Sequence, residues 1–81
     1  KFDVYKLHKD GKQEIIYPEA EVHPKRVYKS WIGRNVTING DSEGILVRIL
    51  DDNTFVLSHP YEKEENGQSV KTTYKLVEVS R

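Results

Sequence analysis

The chain has 81 residues, which is one domain's length, since about 100–200 residues per domain is usual. With 36% hydrophobic and 32% charged residues its core must be thin, and a chain of this size buries only about 60% of its unfolded surface, which excludes a deep catalytic pocket with a supporting shell. Thirteen basic and thirteen acidic side chains cancel, so it is no general polyanion binder, and the absence of cysteine excludes disulfides, thiolate chemistry and Cys-ligated zinc.

In chain order, Phe2–Leu7 and residues 13–17 flank an Asp10-Gly11 pair. Both positions of Asp-Gly accept φ > 0, so an N-terminal β-hairpin is predicted. Pro18 and Pro24 then fence off residues 19–23 as a linker, giving an N-terminal unit over 1–22 and a second part over 23–81 within one folding unit. From Pro24 the apolar spacing becomes Val27, Tyr28, Trp31, Ile32, which predicts a short helix over 24–32 with Pro24 at its start and Gly33 at its stop. A helix this short persists only by packing Val27 and Trp31 onto something else.

The remainder reads as strands. Asn35–Ile38 alternates and turns at Asn39-Gly40-Asp41. Residues 44–50 and 54–61 form a hairpin across Asp51-Asp52-Asn53, with Asn53 as the expected left-handed residue. A third hairpin turns at Asn66-Gly67 and returns over 69–79, long enough for two short strands broken near Tyr74-Lys75. Five short strands with tight turns predict a mainly β protein, a small antiparallel barrel closed or half-closed on itself.

Residues 33–50 carry a glycine, alternating apolar residues, a glycine turn, a second glycine and an apolar strand. This run resembles the opening of the KOW motif of ribosomal proteins and transcription elongation factors. It is also similar to the Sm-like family, Hfq-like domains included, through the preceding helix, Asn39-Gly40, Gly44, Asp51 or Asp52, and the Tyr74-Lys75 pair. The resemblance spans residues 24–79 and implies a five-stranded SH3-like or Sm-like barrel that acts on RNA.

Charge is polarised along the chain. Residues 1–40 carry eight basic and five acidic side chains, and residues 41–81 carry five and eight. Between His23 and Arg34 the cations Lys25, Arg26, Lys29 and Arg34 meet no acid and are interleaved with Tyr28 and Trp31. Cations neutralise phosphates and aromatic rings stack on bases, so these six residues are the candidate nucleic-acid-binding set. The competing reading makes Trp31 and Val27 core and leaves Lys25, Arg26 and Lys29 as a solvated helix face.

His8, His23 and His59 lie on separate elements without metal-ligand spacing, so no metal or other cofactor is expected. Ser30, Ser42, Ser58, Ser69 and Ser80 stand in no nucleophile-elbow context, and Asp51-Asp52 and residues 62–65 read as solvated hairpin tips. An enzyme would need His59, the acids and a serine to converge, for which the spacing gives no reason. The sequon Asn35-Val36-Thr37 matters only on a secretory route; no signal-like segment or apolar run of about 20 residues occurs, and a cytoplasmic location without membrane partner is expected. Two functions follow as expectations. The first is a non-enzymatic module docking on RNA or a ribonucleoprotein. The second is a protein–protein or self-association module, phage-type or an accessory domain of a larger protein, in which the basic half of one copy meets the acidic half of another.

Overall fold

The computed structural model describes residues 1–80. In chain order its strands are β1 (Phe2–Leu7), β2 (Gln13–Ala20), β3 (Val22–His23), β4 (Asn35–Ile38), β5 (Asp41–Asp51), β6 (Thr54–Lys63) and β7 (Ser69–Glu78). Turn chemistry sets most of this layout. Gly11 takes φ 91° between β1 and β2, and Asn39 and Gly40, at φ 54° and 85°, make the two-residue turn whose twist matches that of the flanking strands β4 and β5. Gly67, at φ 82°, is the left-handed residue of the longer turn between β6 and β7, where its amide donates to the Glu64 carbonyl at 2.9 Å. Asn53 departs from the expectation, since Glu19 and Asn39 are the non-glycine residues with positive φ among those described. The Asp51 carboxylate accepts the Asn53 amide at 3.0 Å, and that local bond holds the turn without a left-handed residue. The same amide, followed by Thr54, holds the Asp51 carboxyl below its ordinary range.

The strands form one antiparallel sheet ordered β2-β1-β7-β6-β5-β4-β3. Among the described residues it has seven strands and its ladder is open, which corrects the expected barrel of five strands, closed or half-closed on itself. The physical reason lies at Pro18 and Glu19, expected to begin a linker. Pairing on β1 passes from Phe2↔Ala20 to Val4↔Tyr17, so Pro18 and Glu19 form a bulge. Proline is tolerated there because a bulge releases its position from donating to the ladder. Glu19, at φ 46°, gives its amide hydrogen to Asp3 Oδ1 at 2.9 Å. The kink carries the chain away from β1 and across to the far edge, where Val22 pairs with Ile38 and His23 with Thr37.

The first and last edges of the sheet are therefore joined covalently through Glu21 rather than by a ladder. Its amide donates to Asn39 Oδ1 at 3.0 Å and its carbonyl accepts the Asn39 amide at 2.7 Å. The sheet is rolled, with Val4, Val36, Leu46, Phe55, Leu57 and Leu76 fully buried inside the roll. Each such side chain contributes about 1.5–3 kcal/mol of transfer free energy. The predicted break near Tyr74-Lys75 is absent: β7 is continuous because Tyr74 pairs with Lys6 on one flank and Phe55 on the other. The Phe55 and Tyr74 rings stack at 5.9 Å.

The predicted helix over 24–32 reduces to one 3-10 turn, Lys29–Trp31. Tyr28 is extended, at φ −125° and ψ 153°, so no helix can run through it. Val27 is buried and Trp31 packs half-buried against the core, whereas Tyr28 and Ile32 stand 53% and 49% exposed. Two inward side chains satisfy the segment's apolar demand without a helical stripe, and so short a helix has no independent stability to impose one.

Candidate functional site

The candidate nucleic-acid residues lie on this non-regular segment. Lys25, Arg26, Tyr28, Lys29 and Arg34 are exposed, with Val27 and Trp31 as the pegs that hold the segment down. The indole is not free. The Arg34 guanidinium lies 5.4 Å over the Trp31 ring, and His23 meets it edge-on at 5.0 Å. These contacts fix the ring and place the Arg34 charge, so Tyr28 is the aromatic surface left open to a partner. Arg26 faces Asp52 at 3.7 Å, with both side chains mostly in solvent, where such a pair contributes little. Among the described residues Lys25, Lys29 and Arg34 have no ion-pair partner.

A second constellation was not legible in the sequence. The Glu43 carboxylate on β5 accepts a hydrogen bond from Tyr17 Oη on β2 and another from Tyr74 Oη on β7, each at 2.8 Å. His59 Nε2 on β6 lies 3.1 Å from Thr72 Oγ1 and 3.3 Å from Tyr74 Oη. The β2 and β5 strands are four places apart in the sheet, so a direct Tyr17–Glu43 bond is a consequence of the roll. Sequence separations of 26 and 31 residues leave no spacing signal for these bonds. The one available hint is Tyr74 itself: a tyrosine at a core position implies a partner for its hydroxyl.

Two open clefts meet at this constellation and share Glu43, His59 and Glu62. One, of about 480 Å³, adds Lys6, Tyr17, Thr72 and Tyr74; the other, of about 260 Å³, adds Asn35, Ser42, Gly44, Pro60 and Tyr61. Burial, then the Glu43 carboxylate, pushes the Tyr74 phenol above its ordinary range. The hydrogen bond to Glu43, then burial, does the same for Tyr17. Each phenol therefore keeps its proton in the folded state at pH values where the unfolded chain releases it. That contribution to stability is complete below about pH 10, the ordinary tyrosine value, and is lost as pH rises through the folded-state values. Urea midpoints measured upward from pH 9 are expected to fall with pH, with a shallower fall in Tyr74→Phe; parallel curves for both proteins would refute the assignment.

The three histidines do not converge. His8 Nε2 meets Glu14 at 2.9 Å, His23 packs on Trp31, and His59 belongs to the cluster above. Among the described residues no group of three or more His, Cys, Asp or Glu side chains could hold a metal ion. His59 does meet an acid's hydrogen-bond network, contrary to the expectation from spacing, but its partners are phenol and threonine hydroxyls. Among the described residues no helix is long and apolar enough to cross a membrane. No protein-family model, curated protein or solved structure matches the chain.

Proposed function

We propose that this chain is a non-enzymatic binding module that docks on RNA through the surface formed by Lys25, Arg26, Tyr28, Lys29 and Arg34. The observation that carries this reading is the exposure of four cations and one tyrosine on a segment pinned by Val27 and Trp31, with one weak ion pair among them. A pinned backbone lowers the ordering cost of association, and an exposed phenol ring offers a face on which a single-stranded base stacks, for about 1–3 kcal/mol. The residue likeness of 33–50 to KOW and Sm-like domains points the same way.

Four cations that each neutralise a phosphate give a slope of log K against log salt of about −3 for single strands, or about 50-fold weaker binding on going from about 50 to about 200 mM salt. Trp31 fluorescence reports the titration, since Arg34 lies against its ring. Lys29→Glu together with Arg34→Glu is expected to abolish binding and leave the fold intact. No binding of single-stranded RNA at the lower salt would remove the RNA reading. The exposed Ile32 on the same segment supports a protein partner as the second reading; for it, salt-insensitive association lost in Ile32→Asp is the expected result.

A further inference from the structure

Tyr74 has a single hydroxyl hydrogen and gives it to Glu43 at 2.8 Å, so only lone pairs of Tyr74 Oη face His59 Nε2 at 3.3 Å. An unprotonated Nε2 would set its own lone pair against them. A protonated Nε2 donates to Tyr74 and Thr72 together and satisfies both contacts. In that tautomer the chain of bonds runs carboxylate, phenol, imidazole, and Nδ1 is a bare acceptor. Nδ1 lies on the Gly44 side of the ring, 3.5 Å from where a Cβ on Gly44 would stand, and both residues line one of the two clefts.

The cleft on this side is rich in acceptors. Ser42 spends its hydroxyl hydrogen on Asn35 Oδ1 at 3.2 Å, Glu43 and Glu62 are carboxylates, and no lysine or arginine lines the space. Pro60 supplies its apolar wall, and the Tyr61 side chain stands in solvent at its rim. We propose that this cleft is a second binding site, distinct from the basic surface, which takes the ammonium group of an alkylamine of lysine side-chain size. His59 Nδ1 and the Glu62 carboxylate accept its N–H bonds, and its methylenes lie along Pro60. An ammonium group has three donors and one positive charge, which this lining answers and the RNA-facing surface does not.

The test is a long-range ¹H–¹⁵N spectrum of histidine-labelled protein at about pH 8.5, well above the ordinary imidazole range. The expected spectrum of the free protein shows His59 as the Nε2-protonated tautomer. Cadaverine and Nα-acetyl-lysine methylamide are then titrated separately, with 1-pentanol as the uncharged control. The expected result is a saturable shift of His59 Nδ1 with an amine, no saturable shift with pentanol, and roughly tenfold weaker amine binding in Glu62→Gln, the loss of one charge-assisted bond. Glu62 is exposed, so this variant leaves the fold unchanged. Saturation by cadaverine identifies a free amine as a sufficient ligand, and saturation by the lysine derivative alone identifies a protein side chain. An Nδ1-protonated His59, equal binding of pentanol, no saturable amine binding, or unchanged affinity in Glu62→Gln overturns the proposal. RNA binding is read separately through Trp31, so either site can fail without the other.

Discussion

Gly44→Ala is expected to destabilise the protein by about 1–3 kcal/mol, the usual cost of overpacking a filled interior. The sign matters, because replacing a glycine whose φ suits alanine normally stabilises by about 0.4–1 kcal/mol through the unfolded chain. Gly44 lies outside the left-handed region, so backbone conformation offers no objection. Space does. A Cβ at this position would stand 2.9 Å from the Ser58 carbonyl oxygen and 3.0 Å from Leu57 Cβ. Both belong to β6, the hydrogen-bonded neighbour of β5, so relief requires two paired strands to part. In a domain of this size each kcal/mol lowers Tm by about 4–8 °C. Thermal melts followed by circular dichroism check it, and an unchanged or raised Tm would show that the β5–β6 approach is not a packing constraint.

The second large effect is expected at Glu43. Glu43→Ala removes the acceptor of two phenols at once, and Tyr74 is only 2% exposed. A buried donor left without its partner costs about 1–3 kcal/mol. The same substitution in a Tyr74→Phe background, where that donor no longer exists, is expected to cost less by at least about 1 kcal/mol, the coupling energy of groups in one network. Urea denaturation of the four proteins measures it. Equal costs in the two backgrounds would mean that the Glu43–Tyr74 bond does not hold β5 to β7.

Much of this architecture was legible in the sequence because its signals are local. Asp10-Gly11, Asn39-Gly40 and Asn66-Gly67 each mark the hairpin found there, and Phe2–Leu7 and Asn35–Ile38 are strands with the ends their alternation predicts. What was not legible depends on distant partners. Pro18 announces only a missing amide hydrogen, and whether that ends a strand or sits in a bulge is decided by Asp3, whose carboxylate takes up the Glu19 amide. The helix expected over 24–32 was a periodicity inferred from four apolar residues, two of which remain in solvent. At the basic segment the ring of Trp31 packs on the core, as the competing reading has it, and carries Arg34 on its face. The Tyr17, Glu43, Tyr74 and His59 constellation comes from four different strands, and the roll is what brings Tyr17 of β2 to it.

The pairing of β1 with β7 governs how the chain is made. Phe2 lies opposite Glu78 and Leu7 opposite Thr73, and the Val79 amide closes the ladder on the Lys1 carbonyl. As the polypeptide leaves the ribosome, the opening hairpin emerges with one flank bare and keeps it bare until the last strand is synthesised. Long-range pairing of this kind slows folding and prolongs the exposure of an unpaired edge. A nascent chain stalled before residue 69 thus presents the unpaired edge of β1 to any strand-forming neighbour.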